Sequence, residues 1–282
     1  MGGVLGSTTV AGVIGHPIRH SLSPLLFNAA FAATDLDWVY AAFDVAEGAG
    51  VDAIAAMRAL GLGGLSVTMP HKDAAATAVD RLSPEAEALA AVNCVAWDGD
   101  RLVGHNTDGP GFLAALRAEA GWSPEGRRCV VLGGGGAARA IARALGASGA
   151  DEVVVVNRTE AKAVRTAEVA GRVGRVGRPE QVAEADLVVN ATSVGMGASP
   201  GDTDPLPVDR NLLHEGQLVV DAVYLPRRTP LLAAAEERGA ATLDGVPMLV
   251  HQAAIAFEHW TGRPAPVRAM RDAVGDALDS SA

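Results

Sequence analysis

The chain has 282 residues, enough for two ordinary hydrophobic cores and too few for three. Apolar types make up 49% and charged types 20%, and no apolar run approaches the ~20 residues that a membrane-crossing helix needs. A formal net charge of -10 works against nucleic acid and acidic membranes, which are held by clustered cations, so an anionic small ligand would need a local basic pocket.

Residues 1–10 lack a basic segment ahead of an apolar stretch, and no secretory signal is expected. Two cysteines, Cys94 and Cys129, supply neither a disulfide framework nor paired metal ligands, which fits a reduced, cytoplasmic setting. The 23 cations include only two lysines, Lys72 and Lys162. A solvated surface tolerates either cation, but a lysine that must exchange a proton cannot become arginine. Each lysine therefore invites separate attention.

In chain order, short apolar runs at Val10 to Ile14, Val39 to Val45 and Leu65 to Met69 alternate with helical patterns at Pro24 to Ala33, Val51 to Leu60 and Asp73 to Val79, which reads as βαβαβα. A helix from Pro84 to Ala91 follows. Cys94 to Trp97 and Leu102 to Val103 then flank Asp98-Gly99-Asp100, a hairpin turn, so this first sheet is expected to be mixed. Gly109-Pro110-Gly111 opens a helix to Ala120, and a polar break precedes a stricter pattern. There a buried strand Cys129 to Leu132, a helix Ala137 to Leu145 and a strand Glu152 to Val156 begin a doubly wound parallel sheet, continued by Leu187 to Val189, Leu218 to Val220 and Ala241 to Leu243. The basic repeat from Gly171 to Arg178 reads as a solvated loop or an edge strand. The fold class is α/β: an N-terminal mixed αβ domain over residues 1–108, a Rossmann-like domain over 109–247, and helices from about 248 to 282 packing back on the first.

Gly133-Gly134-Gly135-Gly136-Ala137-Ala138 places Gly, Gly and Ala at the three defining positions of G-x-G-x-x-G/A, between a strand and a helix. Gly133 permits the tight turn, Gly135 lets a pyrophosphate approach the backbone, Ala138 lets the helix pack closely, and free amides at Gly136 and Ala137 face the phosphates. The plain alternative is a glycine-rich turn without a ligand. After the second strand, where NAD-preferring folds carry a carboxylate for the ribose, this chain has Asn157-Arg158-Thr159. Arg158 suits a 2′-phosphate, Thr159 offers a hydroxyl and Lys162 lies one helical turn on, so NADP is expected over NAD; a polar helix cap with a solvated arginine is the alternative.

Val67-Thr68-Met69-Pro70-His71-Lys72 ends a buried strand, so Lys72 starts a helix at the strand's carboxyl edge, where ligand crevices form. Asn106-Thr107-Asp108 lies just before the domain junction. Oxidising a secondary alcohol needs a hydride acceptor and a group that takes the proton or stabilises the alkoxide, and a lysine held by an aspartate fits that need. Ser23-Pro24 also reads as a helix cap followed by proline at the first helical position. His16 and His20 are four apart, but Pro17 prevents the helix that would align them, so no metal site is expected. Gly104 and Gly109 are candidate hinge points.

Taken together, Ser21-Leu22-Ser23-Pro24, Val67 to Lys72, Ala91-Val92-Asn93, Asn106-Thr107-Asp108-Gly109, the glycine turn, Asn157-Arg158-Thr159, Asn190-Ala191-Thr192-Ser193, Asp244-Gly245 and Gln252-Ala253-Ala254 make a chain that resembles the shikimate dehydrogenase family over nearly its whole length. The resemblance implies reversible NADP-dependent reduction of 3-dehydroshikimate to shikimate, a step of aromatic amino-acid biosynthesis, by a monomer or homodimer. It implies Lys72 and Asp108 as the catalytic pair and Ser21, Ser23, Ser66, Thr68, Asn93, Asp108, Tyr224 and Gln252 as the substrate shell. It places Thr192, Gly245 and Met248 beside the nicotinamide. Three positions depart from the family pattern: Ser66 stands where Asn is usual, His71 where an aromatic is common, and His105 where Asp is common. The two histidines flank the proposed pair and are candidates for tuning its ionisation. Quinate or aminoshikimate would suit the same scaffold, and a non-catalytic NADP-binding sensor would share its fold.

Overall fold

A computed structural model describes residues 3–197 and 206–279. Backbone contacts divide them into two compact units, one of residues 3–107 and 252–279, the other of residues 108–251.

The first unit begins with β1 (Thr9–Gly15), α1 (Ser23–Ala33), β2 (Trp38–Asp44), α2 (Gly50–Leu60), β3 (Gly64–Val67) and α3 (Lys72–Ala78). It continues through β4 (Arg81–Leu82), α4 (Pro84–Leu89), β5 (Cys94–Asp98) and β6 (Arg101–His105). Its sheet runs β2-β1-β3-β5-β6-β4, with β1 parallel to β2 and β3, and β5 antiparallel to both β3 and β6. Period-2 alternation sorts the side chains. Ile14, Leu65, Val67 and Val95 face Ile54, Met57, Ala75 and Ala86 from the α2, α3 and α4 helices. The other face carries an aromatic cluster in which Phe27 of α1 stacks on Tyr40 of β2, ring centroids 4.4 Å apart.

In the second unit α5 (Asp108–Ala120), β7 (Arg128–Leu132), α6 (Gly136–Ala147), β8 (Glu152–Val156), α7 (Glu160–Val169), β9 (Gly174–Val176), β10 (Leu187–Asn190), β11 (Leu218–Asp221), α8 (Pro230–Glu237) and β12 (Ala241–Leu243) follow one another. The sheet order β12-β11-β10-β7-β8-β9, parallel at every pairing, is the doubly wound arrangement, whose order reverses between β7 and β10. Val130, Val131, Val154, Val155, Val188 and Val189 are wholly buried, which is why these strands read as continuous apolar runs. The helix α9 (Val246–Thr261) starts in this unit and continues into the first. With α10 (Val267–Asp279) it covers the aromatic face: Trp260 lies 4.7 Å from Phe27 and Phe257 lies 5.8 Å from Phe31, centroid to centroid, and Trp260 Nε1 donates to the Val95 carbonyl at 3.0 Å.

One local expectation needs correction, and others gain detail. Ser23 is not the cap of α1: the cap position is Leu22 and no side chain bonds there, while Ser21 Oγ accepts from the Ser23 amide at 3.3 Å. Gly104 and Gly109, the candidate hinge points, are both closely packed. Gly104 lies inside β6, paired to β5 and β4, and a Cβ there would sit 2.5 Å from Val92. A Cβ on Gly109 would sit 2.8 Å from the Ala140 carbonyl oxygen, because α5 packs closely on α6. The basic repeat supplies β9, the edge strand of the parallel sheet.

Candidate functional site

In the first unit the chain around Lys72 is held by backbone bonds from three directions. The Thr68 amide donates to Ile14 at 2.9 Å and the His71 amide to Thr68 at 3.0 Å, which turns the chain from β3 into α3. The Lys72 carbonyl accepts from the Val92 amide at 3.0 Å, fixing the helix start beside Asn93. The Val67 amide donates to the Asn93 carbonyl at 2.8 Å and the Asn93 amide to the His105 carbonyl at 3.0 Å. Asn93 is buried; its Oδ1 accepts from the Thr107 amide at 2.8 Å and its Nδ2 donates to Thr107 Oγ1 at 3.0 Å. Asn106 Nδ2 donates to the Ala91 carbonyl at 3.1 Å. Positions 72, 93 and 107 thus form one hydrogen-bonded block, and the next residue, Asp108, opens α5 as the first residue of the second unit.

Ser66 and Thr68 alternate away from Leu65 and Val67 and so face the side of the sheet covered by α1 and α9. Tyr40 on the same face is only 3% exposed; burial drives its phenol's pKa upward, with Ser66 opposing. His71 is buried, and its Nε2 meets the Val45 carbonyl at 2.9 Å. In that arrangement the ring nitrogen is the donor, and it ties the start of α3 to the loop after β2. His105 stacks on His259, ring centroids 3.9 Å apart. Burial first, then the His259 charge, pulls the His105 pKa down to about 4, against a smaller opposing effect of Glu85.

The glycine turn of the second unit sits at the reversal of strand order, the usual ligand position of such sheets. Gly133 has φ +125°, and a Cβ on it would lie 2.8 Å from the Ala191 carbonyl oxygen of the loop after β10. A Cβ on Gly134 would meet Lys162 Cβ at 2.8 Å and Asn157 Nδ2 at 3.1 Å. By contrast nothing lies within 4 Å of a Cβ built on Gly135 or Gly136: both face open space at the start of the 12-residue helix α6, where free amides and the helix dipole favour a phosphate. Ala138 is wholly buried against the sheet. Asn157 Nδ2 donates to the Thr159 carbonyl at 2.9 Å and shapes the turn. Arg158, Thr159 and Lys162 are exposed beside it, and no carboxylate occupies positions 157–159. These residues fit an NADP molecule: open glycines for the pyrophosphate, cations for the 2′-phosphate.

The loop after β10 is built from side-chain bonds. Asn190 Oδ1 accepts from the Thr192 amide at 3.1 Å and from Thr192 Oγ1 at 2.7 Å, while the Val194 amide donates to Thr192 Oγ1 at 3.1 Å. Asn190 Nδ2 donates to Asp221 Oδ1 at 2.9 Å. Asp221, at the end of β11, has no exposed surface, and sequence reasoning missed it; a carboxylate closing an otherwise apolar strand was the available signal. Tyr224 follows two residues beyond Ala222, half-buried, its pKa raised by burial. Gly245 is fitted against this segment, since a Cβ would lie 2.6 Å from the Ala222 carbonyl oxygen, and Met248 packs on the core of the unit. Among the described residues no group of three or more His, Cys, Asp or Glu side chains is arranged to hold a metal, and no helix is long and apolar enough to cross a membrane.

Comparison with known proteins agrees with both halves. Residues 13–95 match the model of the shikimate dehydrogenase substrate binding domain, residues 116–196 that of shikimate / quinate 5-dehydrogenase, and residues 245–274 that of the shikimate 5'-dehydrogenase C-terminal domain. Shikimate dehydrogenase (NADP(+)) of Methanopyrus kandleri is 46% identical over 281 residues, covering 96% of each chain. Among solved structures, shikimate 5-dehydrogenase from Thermus thermophilus in complex with NADP(H) and shikimate superposes with a TM-score of 0.88 at 38% identity, over 96% of this chain and 100% of that one. Quinate dehydrogenase from Corynebacterium glutamicum in complex with NAD gives a TM-score of 0.87 at 33% identity, over 95% and 99%. With family models matching segments from residue 13 to residue 274 and a curated relative this similar along nearly the whole sequence, the chain belongs to the shikimate dehydrogenase family.

Proposed function

We propose that this protein catalyses the reversible, NADP-linked interconversion of shikimate and 3-dehydroshikimate in the cytoplasm. The observation that carries the reading is the pairing, in one chain of this family, of an open glycine turn followed by Asn157-Arg158-Thr159 with a lysine set at the carboxyl edge of β3. When bound, NADP supplies the hydride acceptor. Gly135, Gly136 and the α6 amides hold its pyrophosphate, Arg158 and Lys162 its 2′-phosphate, and Thr192, Gly245 and Met248 border its reactive end.

On the substrate side, Ser21, Ser23, Ser66, Thr68, Asn93, Tyr224 and Gln252 offer hydroxyls and amides, matched in kind to a ligand bearing three hydroxyls and a carboxylate. Lys72 Nζ takes the proton of the reacting hydroxyl or stabilises the alkoxide that its loss leaves, and Asp108 orients the lysine and the substrate. By analogy with the family, Ser23 rather than a bulkier hydroxyl residue at that position favours shikimate as the substrate. The likeness to a quinate dehydrogenase makes quinate the second reading.

Purified protein incubated with NADP+ and, in parallel, shikimate, quinate or no substrate should form NADPH, read at 340 nm, fastest with shikimate. Faster reduction with quinate would replace the substrate; none with either would remove the activity.

A further inference from the structure

We propose that Asp221 is a positioning residue that holds the loop bordering the nicotinamide and the loop bearing Tyr224 in one fixed arrangement. The inference rests on the functional reading above for the roles of Thr192 and Tyr224; the hydrogen bonds themselves do not depend on it.

Three donors from three segments converge on this buried carboxylate. Asn190 Nδ2 reaches Oδ1 at 2.9 Å, the Val223 amide reaches Oδ1 at 3.0 Å, and Thr229 Oγ1 reaches Oδ2 at 2.7 Å. Each partner is itself committed. Asn190 spends its other donor on the Val194 carbonyl at 3.1 Å and its oxygen on Thr192. Thr229, wholly buried, caps α8 by accepting from the Leu232 amide at 3.3 Å. The backbone between these points is tied as well: the Ala222 amide donates to the Asn190 carbonyl at 2.9 Å and the Gly197 amide to the Leu225 carbonyl at 3.0 Å.

Residues 190–197 and 221–229 are therefore two loops with one shared anchor, and Tyr224 hangs between Val223, bonded to Asp221, and Leu225, whose carbonyl accepts from Gly197 of the other loop. A charged acceptor serves such a hub better than a neutral one, because all three contacts are donors and charge-assisted bonds are roughly twice as strong as neutral ones. Sheet stability alone gives no reason for the arrangement. An apolar residue would close β11 at less desolvation cost, in keeping with the buried Val219 and Val220 that precede it in the strand.

The test compares wild type, Asp221→Ala and Asp221→Asn for turnover and for binding of two probes, NADPH and 2′,5′-ADP, a fragment without the nicotinamide. Asp221→Ala should lower kcat at least tenfold and weaken NADPH severalfold, while 2′,5′-ADP binds within twofold of wild type. Asp221→Asn keeps the acceptor for Asn190 and Val223 but turns an amide NH2 toward Thr229 and gives up the charge, and should restore part of the loss. If Asp221→Ala does not fold, Thr229→Val severs one link and should raise the KM for shikimate with 2′,5′-ADP binding unchanged. Equal weakening of both probes, or unchanged kcat and NADPH binding, would overturn the proposal. The probe comparison needs no turnover, so it stands apart from any failure of wild type to oxidise shikimate.

Discussion

Acidification should weaken the first unit through one histidine, and the effect can be worked from the structure. His105 is half-buried against His259, and its folded pKa is held near 4 against an ordinary 6.5. Between those values the unfolded chain binds a proton that the folded chain refuses, so stability falls as pH drops through the window. A shift of that size at about 1.36 kcal/mol per unit sets a ceiling of roughly 3 kcal/mol, and solvent screening of a half-exposed ring reduces it to roughly 1 kcal/mol. His259, whose pKa is also lowered by burial, acts in the same direction. Three of the four tryptophans, Trp38, Trp97 and Trp260, lie in this unit, so urea unfolding followed by tryptophan fluorescence reports on it directly. His105→Phe keeps a ring on His259 and removes one titrating group. Between about pH 7.5 and pH 5 it should lose roughly 1 kcal/mol less stability than wild type. Parallel losses in the two proteins would refute the reasoning.

Other substitutions divide folding from function. Lys72→Ala should lower kcat by roughly 10²- to 10⁴-fold while changing the KM for shikimate much less; equal losses in both would mean that the lysine only grips the ligand. Arg158→Glu should shift the NADP to NAD preference by roughly 10- to 100-fold, the worth of a charge-assisted contact, and an unchanged kcat/KM ratio for the two cofactors would remove the 2′-phosphate assignment. Gly135→Ala, whose Cβ meets nothing in the protein, should leave the melting temperature intact and raise the KM for NADP. Gly109→Ala, with its Cβ 2.8 Å from a carbonyl oxygen, should cost about 1–3 kcal/mol of stability. Identical melting curves for Gly109→Ala and wild type would contradict that close contact.

The second unit is the easier half to read from sequence, because strands buried on both faces appear as unbroken Val and Leu runs and the glycine turn has few alternatives between a strand and a helix. Arg81–Leu82 and Gly174–Val176 are too short for any periodicity, so neither can be assigned firmly as a strand. The tight fit of Gly104 is hidden in the sequence because a hinge and a close contact both call for the smallest residue, and only the position of Val92 reveals the contact. Ser23-Pro24 has the composition of a helix cap, but the helix begins one residue earlier. Asp221 leaves only the trace of a carboxylate closing an apolar strand: its partners lie at positions 190, 223 and 229, and only the parallel pairing of β10 with β11 brings the first of these to its side. The fit of Gly133 to Ala191 is likewise hidden, since it depends on which strand lies next to β7.

The order in which the chain builds its first unit has a consequence for synthesis. Residues 3–107 form the sheet, yet the helices that cover its aromatic face come from residues 252–279, separated by the whole of the second unit. A ribosome therefore releases Phe27, Phe31 and Trp38 long before Phe257 and Trp260 exist to cover them. The second unit, continuous in sequence, has all its residues earlier, so the nascent protein passes through a stage with one finished half and one half still open to chaperones or to sticking.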